Sequence, residues 1–304
     1  MNRLFCIAAL LSLPVIGLAQ HHVVIVQGLE GDPVYGQQFT EQVASIEAAS
    51  ESLTAKANVH VLQGTDASRG AILDLFQQLS EAASLAQLTV YFIGHGSYDD
   101  HDYKFNLPGP DLTGADIAQA LDALTTDNIV FINTSSASGA VKELVQKGRR
   151  VIALATRSGS ERHATRFGVF FAEALASETA DINKNKMVSV AEAFGYAERQ
   201  VADYFERNGQ LATEHAVLHG ERADRFMLAK LSEPTRRPAP RPATGRLAEL
   251  LEQRDALNTE IDALRLRREE LSALDYQAAL MPKLLELARL EDAIETERGG
   301  RAND

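Results

Sequence analysis

Apolar and polar positions along this chain follow two alternating rhythms. Short runs rich in β-branched residues predict buried strands at 22–27 (HVVIVQ, closed by Gly28), 58–62, 87–93 (stopped by Gly94), 128–133 and 150–155. Between them, apolar residues recur three and four apart. That spacing predicts helices at 37–55, 71–83, 116–124 and from 141 to 146. In the second of these, Ile72, Leu75, Phe76 and Leu79 share one face. Two further helices are expected at 164–177 and 190–207, and residues 213–231 close the domain. Strands alternating with helices build an α/β fold. It is expected to be a mostly parallel open sheet covered by helices on both faces, spanning residues 20–231.

After residue 231 the pattern changes. Pro234, Pro238, Pro240 and Pro242 alternate with Arg236, Arg237, Arg241 and Arg246, which reads as a stiff solvated linker over 232–246. Beyond it, Leu250, Leu257, Leu264 and Leu271 recur every seven residues, with Leu247 and Ile261 as partner positions. That is a coiled-coil stripe in a helical region over 247–304. Pro282 is expected to break it, and Leu284, Leu287 and Ile294 form a second stripe. Both a helical hairpin and one long dimerising helix fit this pattern. Self-association through 247–296 is expected in the second case.

The first residues bear on the compartment. Arg3 precedes an apolar run over 4–18, and Gly17 and Ala19 are small residues just before Gln20. The pattern predicts a signal peptide over 1–19 and a secreted or periplasmic protein; a retained anchor is the competing reading. The run is too short for a membrane span, and no later stretch is apolar enough for one. The only cysteine, Cys6, lies inside this segment, so the processed chain has neither thiol nor disulfide. A formal net charge of −12 argues against a nucleic-acid partner, because binding phosphates needs a basic face.

In open α/β sheets, sites form beyond the carboxyl ends of the strands. Two strand ends carry chemistry here: Gly94-His95-Gly96-Ser97, and Asn133-Thr134-Ser135-Ser136-Ala137-Ser138-Gly139. Adjacent parallel strands would place His95 and the Ser135/Ser136 pair in one crevice. An imidazole there can serve as acid or base, and a hydroxyl beside it as nucleophile. The structural alternatives are a satisfied strand-end histidine and a serine that caps the following helix.

A strand ending in His-Gly, followed about 40 residues later by a strand ending in a short Cys-x-Ser-Gly-like turn, marks the caspase/legumain class of peptidases. This chain resembles the legumain branch of that class over roughly residues 22–220. Gly94-His95-Gly96-Ser97 is similar to its histidine motif. Ser135 to Gly139 is similar to its nucleophile turn, with Ser136 where the family carries cysteine. The strand entering Ala155-Thr156-Arg157 looks like the family's substrate-pocket strand. The resemblance implies catalytic roles for His95 and Ser136. It implies substrate contacts at Gly96, Ser135, Gly139, Thr156 and Arg157. It also implies a peptide or protein as substrate or partner. The serine is a departure. A hydroxyl is far less acidic than a thiol and needs a base held by a third group. No such group stands out, although Asp99, Asp100 and Asp102 follow His95 closely. A catalytically silent binding domain is the leading expectation. The others are an active hydrolase using Ser136 with His95, and a scaffold acting through its C-terminal helices.

Two more clusters bear on function. Arg157, Arg162, His163 and Arg166 form a basic stretch that would favour a carboxylate ligand, or else simply face solvent. Asp181, Asn183, Asn185, Met187, Ser189 and Glu192 follow the spacing of a calcium-binding loop, with Lys186 in place of its glycine. Ser189 and Glu192 are equally a capping box for the next helix, so calcium and a plain helix cap both remain open; no other cofactor is expected.

Overall fold

The first strand shows how the sequence builds the core. In β1 (Gln20–Gln27), Val23 and Ile25 enter one apolar cluster, and Val24 and Val26 enter a second. A strand alternates its side chains between two faces, so a run apolar on both must be covered on both. The computed structural model of the protein describes residues 20–82, 84–231 and 273–300, with single positions 246, 250, 253, 257, 260 and 264. The chain divides into two compact units, Met1–Ser232 and Glu233–Asp304. The expected signal peptide lies outside the described residues. So does the expected linker, apart from Arg246.

In the first unit, β1 leads to α1 (Pro33–Glu51), β2 (Val59–Leu62), α2 (Arg69–Glu81) and β3 (Leu85–Ile93). A three-stranded antiparallel meander follows: β4 (Gly96–Tyr98), β5 (Tyr103–Phe105) and β6 (Leu112–Thr113). Next come α3 (Gly114–Asp122), β7 (Ile129–Asn133), the short α4 (Lys142–Val145), β8 (Val151–Leu154) and α5 (Phe167–Ala174). The unit ends with β9 (Met187–Ser189), α6 (Val190–Arg207), β10 (Val217–His219) and β11 (Met227–Lys230).

The main sheet has six strands in the order β10-β8-β7-β3-β1-β2. All pairs are parallel except β10 with β8. One face carries residues of α1, α5 and α6, including Phe39, Ile46, Phe171 and Phe194. The other carries residues of α2, α3 and the meander, including Phe76, Leu121 and Phe105. Fully buried Phe131, Phe167 and Phe171 each contribute on the order of 1.5–3 kcal/mol through removal from water. The fold is therefore α/β, with a mostly parallel six-stranded sheet flanked by helices.

Local chemistry moves several boundaries from the periodicity. Helix α1 starts at Pro33, not residue 37, because Asp32 caps it by accepting from the Val34 amide and proline suits the first turn. Helix α4 has only four residues. The meander was not anticipated, since strands of two or three residues are too short to show a period.

In the second unit, α7 runs from Ala273 to Gly300 with Pro282 inside it. This corrects the expected break. Proline removes one backbone hydrogen bond, and the helix-forming run before it (Gln277 to Met281) carries the helix through. Leu250 and Leu257 are buried, and Leu284 and Leu285 are exposed. Lys283 pairs with Glu260. A straight helix would hold residues 23 positions apart at about 35 Å. Residues 260 and 283 therefore do not lie along one straight helix. The side chains of Leu247, Ile261, Leu271 and Ile294 lie outside the described residues. No helix among the described residues is long and apolar enough to cross a membrane.

Candidate functional site

Strands β3 and β7 are neighbours, with Phe92 opposite Asn133. Their carboxyl ends therefore deliver the Gly94–Ser97 and Thr134–Gly139 segments to one place. Ser136 Oγ donates to the Gly96 carbonyl at 3.0 Å and accepts from the Gly96 amide at 3.3 Å. Gly96 is required there, because a Cβ would lie 2.5 Å from the Ser136 carbonyl and 2.7 Å from Ser135 Oγ. Ser136 is only 4% exposed.

Ser135 belongs to a separate, fully buried network. Its hydroxyl bonds the Tyr103 hydroxyl at 2.7 Å and donates to Asn133 Oδ1 at 2.8 Å. Asn133 Nδ2 donates to the Tyr103 hydroxyl at 2.8 Å. Burial pushes the Tyr103 pKa up to about 12, against the opposing bonds to Ser135 and Asn133. Tyr103 comes from β5, so the meander supplies the floor of the turn. Ala137, fully buried, sits at φ 55° in the left-handed region, where an alanine is strained by about 1–2 kcal/mol. Its amide donates to the Glu161 carbonyl at 2.8 Å.

His95 stands beside this turn but does not engage it. Its ring meets Tyr35 and Phe39 of α1 edge-on, with centroids 4.8 Å and 5.2 Å away. Burial lowers its pKa, partly offset by a hydrogen bond to the Glu30 backbone carbonyl. No hydrogen bond joins the imidazole to Ser136 among the described residues, and its own partner is a carbonyl, not a carboxylate. The aspartates after it serve the β4–β5 turn. Asp99 accepts from the amides of His101 and Asp102 and pairs with Lys104, and these bonds, led by that of Asp102, hold its pKa well below the usual carboxylate range. Asp100 pairs with Arg162 at 3.0 Å.

Thr156 and Gly139 lock the next segment. Thr156 Oγ1 accepts from the Gly139 amide at 2.9 Å, and the Thr156 amide donates to Ser138 Oγ at 3.1 Å. A Cβ on Gly139 would fall 2.3 Å from the backbone of Arg157 and Ser158. The Arg157 side chain is exposed and lies 3.8 Å from Glu161.

Three residues here escape a reading of the sequence. Glu161 accepts from the amides of Arg157 and His215 and bonds the His215 imidazole at 2.8 Å, so one carboxylate ties two loops to the Ala137 turn. Glu214 is buried and accepts from the amides of Arg166 and Phe167, capping α5; burial raises its pKa while those amides oppose the rise. Gln27, at the end of β1, is buried with no hydrogen-bond partner for Oε1 among the described residues. Only the last lies at a strand end, where polarity after an apolar run is a visible signal.

The 181–192 turn is internally satisfied. Asp181 accepts from the amides of Asn185 and Lys186, and Asn185 Oδ1 from that of Met187. Glu192 accepts from the amides of Ile182, Asn183 and Ser189, and from the Ser189 hydroxyl. Ser189 and Glu192 make the capping box of α6. Lys186 takes φ 64°, the left-handed conformation that a glycine would adopt more easily, and pairs with Glu178. Among the described residues, no group of three or more His, Cys, Asp or Glu side chains is gathered to hold a metal.

What this arrangement can do follows from the partners. A nucleophile needs a base on its proton. The Ser136 proton instead points at a peptide carbonyl. The Gly96 amide, which could stabilise developing negative charge on a bound carbonyl, faces the Ser136 oxygen. Among the described residues, this end of the sheet holds a half-buried, aromatic-flanked imidazole beside a buried serine turn, without an assembled proton-transfer chain. No protein-family model matches this chain, and no curated protein matches it in sequence.

Proposed function

We propose that residues 20–231 form a caspase/legumain-like domain that binds a peptide or protein at the carboxyl end of its sheet without cleaving it. One observation carries this reading: the Ser136 hydroxyl is held as donor and acceptor by Gly96 and, among the described residues, makes no hydrogen bond to a base. The signal-like first nineteen residues support an extracytoplasmic location. We assign the Glu233–Asp304 unit to association, through the coiled-coil stripe beginning at Leu250. The Lys283–Glu260 pair favours an intrachain hairpin as its core.

The decisive experiment compares natural protein with Ser136→Cys and Ser136→Ala in a peptidase assay. The natural protein is expected to show no turnover, while a thiol at this position gains measurable cleavage because an appreciable thiolate fraction exists near pH 7. Turnover by the natural protein that disappears in Ser136→Ala overturns the reading in favour of a serine hydrolase. We expect a plain helix cap at 181–192, because its carboxylates accept backbone amides. Addition of calcium or of a chelator is expected to leave the thermal midpoint unchanged, and a rise with calcium would reassign that turn.

A further inference from the structure

Helix α7 is apolar on two sides that face away from each other. A helix turns by about 100° per residue, so Met281, Leu284, Leu285 and Ala288 fall within about 100° of arc. All four are exposed; Leu285 is 55% and Met281 48% open to solvent. Lys283, Leu287 and Leu290 point the other way and are only partly exposed. On that side Lys283 makes its ion pair with Glu260. One side of the helix is thus engaged within its own unit, and the other meets water. Among the described residues, no other element carries three exposed large apolar side chains. Singly exposed apolar residues are ordinary, whereas a row of them on one helix face marks a contact surface.

The pattern of this face is complementary to itself. An antiparallel two-fold pairing centred on residue 283 sets Met281 of each copy against Leu285 of the other and Ala278 against Ala288. Leu284 then meets its own counterpart beside the axis. The same pairing brings position 275, an aspartate, level with Arg289 of the other copy, so that opposite charges meet at both ends of an uncharged centre. Antiparallel packing also sets the opposite dipole ends of the two helices side by side. Leu250 and Leu257 are already buried in the single chain and are not free to receive a partner. We propose that the Met281, Leu284 and Leu285 face of α7 docks a second copy of this chain as a two-fold, antiparallel dimer. The inference rests on the assignment of the Glu233–Asp304 unit to association and names the surface and the partner.

The test is sedimentation equilibrium of the full chain and its variants, with circular dichroism to confirm unchanged helix content. The natural chain is expected to be a dimer at micromolar concentrations. Leu284→Glu and Leu285→Glu are each expected to weaken it on the order of 100-fold, because each sets a carboxylate from both copies into apolar contact. Leu211→Glu, at an exposed leucine of the first unit, is expected to leave the dimer unchanged. Arg289→Asp is expected to weaken the dimer, and adding Asp275→Arg to restore it, which a role in folding alone would not produce. A dimer that withstands both leucine substitutions, or that Leu211→Glu dissolves equally, overturns this face while the association role of the unit stands. A natural chain that stays monomeric overturns both. Failure of the charge exchange to restore the dimer overturns the antiparallel pairing.

Discussion

The two ends of the main sheet each set a histidine near a hydroxyl, and they do so in opposite ways. At the amino end, His21 Nε2 lies 2.9 Å from Thr89 Oγ1, across the β1–β3 pair. It is the one histidine-to-hydroxyl hydrogen bond among the described residues, and it is part of the sheet's structure. At the carboxyl end, His95 and Ser136 occupy neighbouring strand ends yet share no such bond. The amino-end pair has the contact; the carboxyl-end pair has neighbouring strand ends without the contact. Residue types brought together do not make a mechanism. What decides is where each proton goes and whether a ligand can reach it.

The strongest way to break this contrast is to disturb the carboxyl-end turn. Gly139→Ala sets a Cβ 2.3 Å from the backbone of Arg157 and Ser158, where no side-chain rotation gives relief. A loss of about 3 kcal/mol or more is expected in urea denaturation, by the overpacking mechanism. A loss below about 1 kcal/mol would show that the turn is loose and that Ser136 is free to re-aim.

Acid probes the amino end. Burial, reinforced by the neighbouring His22, lowers the His21 pKa to about 4. The unfolded chain, with a histidine pKa near 6.5, takes up this proton first. Stability from a neutral His21 is therefore full above about pH 6.5 and is lost progressively down to about pH 4, by about 2–3 kcal/mol. Burial lowers the pKa of His22 and His60 as well, so they share the acid slope. In urea titrations at several pH values, His21→Gln is expected to remove the largest share of that slope, whereas His95→Ala removes less. Equal slopes in His21→Gln and natural protein would refute the assignment.

The smallest effect sharpens the carboxyl-end picture. Tyr103→Phe leaves Asn133 Nδ2 without its acceptor inside a sealed network, at a cost of about 1–2 kcal/mol. A neutral result would mean that water enters beneath Ser135.

These contacts also show what a sequence can and cannot display. The five main strands and both Gly-flanked turns are visible because strand periodicity and glycine punctuation are local. The Ser189–Glu192 capping box is visible for the same reason: its partners lie three residues apart. Tyr103 to Ser135, Glu161 to His215 and Glu214 to Arg166 span 32, 54 and 48 positions, and no local rule links them. The meander stayed invisible because its strands have only two or three residues; the exposed Asp99–Asp102 segment is the turn between its first two strands. Arg157, Arg162 and Arg166 read alike in sequence, yet Arg157 meets Glu161 four positions on, Arg162 meets Asp100 far back in the chain, and Arg166 lies over the Tyr204 ring.

The strand order has a consequence for how the molecule comes into being. Strand β1 pairs with both β2 and β3, and all three lie within the first 93 residues; β7, β8 and β10 then add outward on the β3 side in the order in which they occur in the chain. A chain emerging from its amino end can zip this sheet without waiting for a distant segment to insert between strands already joined. After β3, each new main-sheet strand pairs with the main-sheet strand laid down before it, so no strand has to insert between two already joined. The Ser136–Gly96 contact comes into existence at one identifiable moment of that growth, when β7 docks on β3.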